Sequence, residues 1–417
     1  MCSGDRSWAT LHKVNTQTEV PTIIDSPRAW VAAIGVAAAN GLGFGTVYTF
    51  GTFFDAMVEE FDSGSGPTAL IFGVTLLCFF GSGLISGPLY DRIGARPILI
   101  VGGAMFVLGL LATARADQLW LGVLTYGVGV GLGGGLYVVP LTVLVGVIFD
   151  RHRAMALAVV AVGNGVGTLV LSPLSESIIS GDSWRKAYDT IAIIGVVVIA
   201  LALVAVVPAP TKPDPPRGVR DAVESARRVR RLASFRSLFW ASILMSTSLF
   251  IAFGFVVPFA TDAGVSSRSA SALVGVIGFS SVFGRLGLMA VARHLGPIRL
   301  LQLTLVLQPM AYVLWLVAGG RYLVLVAFAL LLGASYGGFV AVIPEVVIRL
   351  VGLEGLGTTM GIGFLAFGIG GLIGPPTAGL LADAADTPTT TISVVIGLVL
   401  AALVVSVPMG RAPTTDS

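Results

Sequence analysis

Twelve predominantly apolar runs of roughly 18 to 30 residues follow one another along the chain, and each can cross a hydrocarbon core of about 30 Å as a helix. A spanning backbone in lipid must satisfy its own polar groups, so runs of this length and number read as membrane helices. They lie near 29–54, 66–90, 97–114, 119–148, 154–175, 190–208, 237–261, 269–292, 300–319, 322–344, 356–382 and 389–410. The expected fold class is therefore an all-α membrane protein of twelve transmembrane helices in two six-helix halves. Composition agrees: 11% of the 417 residues are charged, against about 25% in soluble domains. The 54 glycines would weaken soluble helices, whereas between membrane helices small residues let backbones approach closely. Cys2 and Cys78 are too few for a disulfide framework or a metal site, and no cofactor is implied. The first 28 residues show neither an apolar signal core nor a small-residue cleavage site, so the first span is expected to act as its own insertion signal.

The net charge of +3 invites a nucleic-acid reading, but the placement of the charges argues against it. With the N-terminus inside, alternation of spans puts nineteen of the 25 Lys and Arg on the cytoplasmic side, among them Arg92, Arg96, Arg151, Arg153, Arg293, Arg299 and Arg349. Arg115, Arg185, Lys186, Arg268 and Arg321 fall outside, and Arg285 falls within a span. This positive-inside bias predicts an integral multi-pass protein of the cell (inner or plasma) membrane with both termini inside. The predicted organisation is a cytoplasmic tail over 1–28, a six-helix half over 29–208, a Pro- and Arg-rich cytoplasmic linker over 209–236, a second half over 237–410, and a short tail over 411–417. The linker reads as a membrane-hugging connector, with an anionic-lipid site as the less favoured reading.

The halves resemble each other at a near-constant offset. Gly73-Val74 matches Gly275-Val276 and Gly94 matches Gly296 at 202; Gly133, Gly134 and Pro140 match Gly337, Gly338 and Pro344 at 204; Gly163 and Gly165 match Gly368 and Gly370 at 205. A parallel repeat of this kind suits a carrier whose halves rock about a site near the bilayer midplane.

Between spans two and three the chain reads Gly87-Pro-Leu-Tyr-Asp91-Arg92-Ile-Gly94-Ala-Arg96. This resembles the Gly-x-x-x-Asp-Arg-x-Gly-x-Arg/Lys loop of the major facilitator superfamily. Gly94 would permit a tight turn, and Asp91 would pair with basic groups or cap a helix as part of a cytoplasmic latch. The second half keeps the glycine in Arg293-His294-Leu295-Gly296 and loses the aspartate. A closer resemblance covers nearly the whole chain, to the monocarboxylate transporter branch with its bacterial oxalate/formate-exchanger relatives. Ile148-Phe149-Asp150-Arg151-His152-Arg153-Ala154-Met155-Ala156, ending at Gly163, is similar to that branch's fifth-helix signature, without its leading tyrosine and internal glycine. Ser183-Trp184-Arg185 and the segment from Pro344-Glu345 to Gly352 also look like the branch, whereas its first-helix signature survives only as Asp25 and Trp30.

Arg285, in Phe283-Gly284-Arg285-Leu286-Gly287, is the most informative residue. It lies about eight residues, roughly 12 Å, from the cytoplasmic end of its span, and no Asp, Glu, Lys or His falls within any span as drawn. A central arginine costs roughly 2.5 to 3.5 kcal/mol on insertion scales. Its first-half counterpart is Gly83, so the fold does not require a charge there. Resemblance to the branch implies that Arg285 binds the substrate carboxylate, which a planar guanidinium can do through two parallel bonds. Tyr48, Tyr137 and Tyr336 are expected nearby as hydroxyl donors. Ser281, Asn164 and Phe339 complete the expected substrate-binding set; Asn164, like Asn40, also reads as interhelical glue. Asp150 and Glu345, near Arg151, Arg153 and Arg349, look like gate ion pairs.

Two departures bear on coupling. Animal carriers of the branch often place an aspartate one turn before the arginine, where Ser281 stands, and a first-helix lysine where Tyr48 stands; both are tied to proton coupling in the family. The oxalate exchanger adds a basic residue in span eleven, which is uncharged here. One cation favours a monoanion. The expected function is alternating-access secondary active transport of a small monocarboxylate, lactate- or pyruvate-like, by proton symport or anion exchange. The alternative is drug or metabolite efflux within the same superfamily. Expected partners are the substrate, protons and membrane lipids, with no nucleic acid and a monomeric functional unit. The spans hold no paired carboxylates or placed nucleophile, so no enzyme is expected.

Overall fold

A computed structural model describes residues 23–206, 227–351, 356–384 and 388–411. Twelve long apolar helices cross it: α1 Pro27–Tyr48, α2 Ser65–Gly87, α3 Ala95–Thr113, α4 Leu119–Ile148, α5 Met155–Ile179, α6 Trp184–Ala205, α7 Ala233–Asp262, α8 Ser267–Gly287, α9 Pro297–Ala318, α10 Tyr322–Val351, α11 Thr359–Ala384 and α12 Thr389–Met409. These are the twelve spans read from the sequence, with shifted ends. The helix of α8 continues to Leu295. Most of the 209–236 linker lies outside the described residues, and α7 begins at Ala233, inside its predicted end.

Helix ends follow local chemistry. Ser26 caps α1 by accepting the Ala29 N–H at 3.2 Å, with Pro27 at the first helical position. Ser183 caps α6 through the Lys186 N–H. Gly94 turns the chain into α3 at φ 80°, and Gly296 does the same before α9 at φ 76°; any side chain there would be strained. The first span differs from its expected single helix over 29–54. The helix breaks at Thr49 and resumes as Phe50–Glu60, leaving Tyr48 at the break. In α4 the stretch Val123–Val130 is wound as a π-helix, in which Tyr126 donates to the Thr46 carbonyl of α1 at 2.9 Å.

Within each half the same pairs pack: α1 with α5 and α6, α2 with α4, α3 with α4 and α6, and correspondingly α7 with α11 and α12, α8 with α10, α9 with α10 and α12. Glycines set the closest approaches. A Cβ on Gly131 or Gly135 would stand 2.8 Å from the Thr75 oxygen or 2.2 Å from the Phe79 oxygen. Their repeats Gly333 and Gly337 would meet the oxygens of Ile277 and Ser281 at 2.3 and 2.0 Å. Every one of these residues matches its partner at an offset of 202. On α5, Gly163 and Gly167 approach the oxygens of Ala37 and Gly41; on α11, Gly370 and Gly374 approach those of Ile243 and Thr247. The contacts therefore relate α4 to α10 at 202 and α5 to α11 at 207, not at the 204 and 205 that glycine matching alone indicates. In so glycine-rich a chain, matching by identity slips by half a turn.

The halves meet mainly through α2 against α11 and α5 against α8. Near the outer side Gly51 lies under the Phe253 and Gly254 carbonyls of α7, and Phe54 packs on Phe255 at 4.9 Å between centroids.

Candidate functional site

α8 positions Arg285 through its two contact faces. Gly284 and Ser281 lie against Ala334 and Gly337 of α10, while Gly278 and Val282 lie against Thr168 and Gly165 of α5. At roughly 100° per residue, Arg285 falls between these faces and points into the interior between α5 and α10. It stands ten residues before Leu295, about 15 Å into the helix and so deeper than the span boundary suggests. The guanidinium carbon lies 6.0 Å from the centroid of the Tyr336 ring, at the outer limit of a cation–π contact. Its Nε is buried with no hydrogen-bond partner, and no carboxylate pairs with it among the described residues. The repeat counterpart Gly83 faces open space: a Cβ there would meet nothing within 4 Å among the described residues.

Tyr336 and Tyr48 share a hydroxyl–hydroxyl bond of 3.1 Å that joins α10 to α1 across the halves. Phe253 of α7 lies 4.4 Å from the Tyr48 ring, and all three side chains are buried. This layer roofs the interior on the outer side, whereas Arg285 keeps part of its surface open. The outer side is therefore closed between the halves. Below the roof Phe44, Phe80 and Phe364 add an aromatic wall, with Phe80 and Phe364 stacked at 15°.

Other expected site residues divide. Asn164 lies between the α1-facing glycines Gly163 and Gly167 and the α8-facing Gly165 and Thr168, so it points inward; its Oδ1 is buried without a partner among the described residues. Ser281 is turned to its own helix, its hydroxyl donating to the Gly278 carbonyl at 2.7 Å. Tyr137 is fully buried, with its hydroxyl against Gly43 and its ring against Phe106. Phe339 is fully buried against Phe367. Arg285, Tyr336 and Tyr48 thus come together, Asn164 faces the same interior, and Ser281, Tyr137 and Phe339 lie in the adjoining packing. Asn40 ties α1 to α4 by donating to Thr142 Oγ1 at 2.9 Å.

At the cytoplasmic loops Gly94 makes the expected turn, and Arg96 donates from Nε to the Val206 carbonyl at 3.1 Å, tying the loop to the end of α6. Arg92 is exposed, a Cβ on Gly87 would meet nothing, and the side chain of Asp91 lies outside what the structure describes. Asp150 stands 3.8 Å from Arg153, an exposed pair, while Glu345 is exposed on α10. The cap at this corner is Asp25, which in the sequence stands only as a remnant of the first-helix signature. Its carboxylate accepts the backbone N–H groups of Asp150, Arg151 and His152. Burial works to raise its pKa, but these bonds outweigh that and hold the carboxyl below its ordinary range. Nothing local in the sequence links Asp25 to Asp150. On the outer side Arg185 bridges to Glu60 at 2.8 Å and donates to the Ala116 carbonyl, which explains the Ser183-Trp184-Arg185 run.

Three carboxylates at the outer ends also escaped the sequence reading, because each falls at or just beyond a span as drawn: Asp55, Glu176 and Asp262. Asp55 keeps an open tip, yet the protein packed around it strips away water. Together with the Asp262 carboxylate of the opposite half, this pushes its carboxyl up from 3.8 to about 6. Separation of the halves would relieve the Asp262 contribution. A carboxyl raised by the opposite half favours contact with that half when protonated, so Asp55 favours outer closure at low pH and loses that contribution as pH rises through about 6. Transport measured against external pH is expected to show this titration, and Asp55→Asn to flatten it; an unaltered profile in the variant would remove Asp55 from coupling.

The description of the Major Facilitator Superfamily matches residues 36–321, more than half of the chain. Monocarboxylate transporter 3 of Rattus norvegicus is 30% identical over 379 residues, covering 86% of this chain and 75% of that protein. The chain belongs to the Major Facilitator Superfamily, in its monocarboxylate transporter branch. Monocarboxylate transporter 11 of Homo sapiens is 28% identical and covers 93% of this chain and 84% of its own. The aspyridones efflux protein apdF of Emericella nidulans is 24% identical, covering 85% and 72%. Among solved structures, the nucleoside transporter NupG shares the fold with a TM-score of 0.74 at 12% identity, over 92% of this chain and 100% of that one. The protein is accordingly an integral multi-pass secondary transporter of a non-enzymatic family, which takes a small-molecule substrate.

Proposed function

We propose that this carrier moves a small organic monocarboxylate, of the size of lactate or pyruvate, by alternating access, with the carboxylate held on Arg285. The observation behind this reading is an arginine deep in the interior between α5 and α10 with no carboxylate partner among the described residues. The Tyr48–Tyr336 pair beside it and Asn164 facing the same interior offer polar atoms but no compensating charge. An unpaired guanidinium is costly to close off in low dielectric, and a carboxylate brings it close to neutral. Substrate thus lowers the barrier to closure. Ser281 cannot supply charge to the empty carrier, so the empty form is expected to reorient slowly. Proteoliposomes loaded with unlabelled lactate or pyruvate should take up the labelled acid several-fold faster than empty ones. Equal rates would overturn the slow empty step, and the response to an imposed pH gradient separates symport from exchange. The efflux reading draws on the fungal relative and on the aromatic wall of Phe44, Phe80 and Phe364. Absence of saturable uptake of short acids by folded protein would bring it forward.

A further inference from the structure

The outer ends of α2 and α11 meet across the halves in a contact with an unusual division of labour. α2 starts at Ser65 behind Gly64, which has no side chain to cap the helix. The first two N–H groups of α2 are instead taken by the other half: Ser65 N–H donates to Asp383 Oδ1 and Gly66 N–H to Asp383 Oδ2, each at 2.9 Å. The fit is close, since a Cβ on Gly66 would stand 2.6 Å from Leu380 Cδ2 and one on Gly379 would stand 2.5 Å from the Ser65 oxygen. α8, the repeat counterpart of α2 at an offset of 202, begins differently. Ser266 occupies the position of Gly64, and its own Oγ accepts the Ser269 N–H at 3.4 Å. A Cβ on Gly64 would lie 2.8 Å from Asp383 Oδ2, so the glycine leaves room for the carboxylate of the opposite half. One helix of the repeat pair caps itself; the other is capped in trans.

We propose that Asp383 is the latch of the outer gate. Its carboxylate closes on the positive N-terminal end of α2 only while the outer side is shut, and both bonds must break whenever the halves part there. In the outward-open state the carboxylate and the two N–H groups are hydrated, so the latch biases the equilibrium towards the outer-closed form without locking it. Its action is independent of what Arg285 binds.

The test follows conformation, not transport. Full-length protein in liposomes, with Cys2→Ser and Cys78→Ser, carries spin labels at Asp182→Cys and Arg268→Cys, exposed positions on the outer ends of the two halves. Pulsed dipolar distances should show mainly the short, outer-closed separation in the parent. Asp383→Ala should raise the ratio of long to short separations by about tenfold, the scale of losing charge-assisted bonds. Asp383→Asn, which keeps one acceptor oxygen, should fall between. Gly64→Ser should shift the distances the same way with Asp383 intact, because the new side chain displaces the carboxylate and caps α2 from its own chain. Unchanged distances in Asp383→Ala overturn the latch; if that variant does not fold, unchanged distances in Gly64→Ser overturn it equally.

Discussion

Arg285→Gln is expected to abolish saturable uptake of lactate and pyruvate into proteoliposomes while leaving the protein folded. Glutamine keeps most of the length and one pair of N–H donors but removes the charge and the planar fork. Each charge-assisted bond to a carboxylate contributes about 1.5 to 3 kcal/mol, and loss of two lowers affinity by at least about 100-fold. The fold should not suffer, because the guanidinium has a buried Nε without a partner and no ion pair among the described residues. Removing an uncompensated charge from an interior is neutral or stabilising, so the melting midpoint should stay level or rise. Arg285→Lys restores the charge but not the two-pronged geometry, and is expected to recover only a small part of the activity. The readouts are initial uptake rate and the shift in melting temperature on adding substrate. A glutamine variant that transports at the parental rate would take Arg285 out of the binding site and the monocarboxylate proposal with it.

Much of the architecture was legible because its signals are local. Twelve apolar runs, the Lys and Arg bias and the Gly94 turn each depend on a short stretch of chain, and the spans and the turn stand where these put them. Arg285 was legible for a related reason: a charge in an apolar run is visible without knowing its neighbours. What surrounds it was not. Tyr48, Tyr137 and Tyr336 look equivalent in sequence, yet helix rotation brings Tyr48 and Tyr336 to within 3.1 Å of each other and buries Tyr137 against Gly43. Ser281 looked like a free hydroxyl one turn from the arginine, but a serine in a membrane helix can satisfy itself on its own backbone, and this one does. Asp25 and Asp383 act on N–H groups more than a hundred residues away, which no spacing rule reaches. Asp55 sat one residue beyond a drawn boundary, and such boundaries are uncertain by several residues.

Gly337→Ala should cost both stability and transport, whereas Gly83→Ala should cost neither. A Cβ on Gly337 would sit 2.0 Å from the Ser281 oxygen and 2.7 Å from its carbonyl carbon. These are backbone atoms of α8, so no flexible side chain can give way and the two helices must separate. Overpacking of this kind costs about 1 to 3 kcal/mol, and the strain falls where it matters. Gly337 follows Tyr336, and Arg285 lies one turn beyond Ser281, so moving α8 from α10 pulls apart the ring and the guanidinium now 6.0 Å from it. Gly83, at the repeat position of Arg285, has open space around its would-be Cβ, and alanine is the better helix former. Gly135→Ala separates the two effects. Its Cβ would meet the Phe79 oxygen at 2.2 Å, the same clash on the repeat-related pair α2 and α4, away from Arg285. Both tight-site variants should therefore melt several degrees below the parent, but only Gly337→Ala should also raise the substrate concentration needed for half-maximal uptake. If Gly135→Ala raised it equally, the loss would reflect general loosening of the bundle and not the geometry that α10 imposes on Arg285.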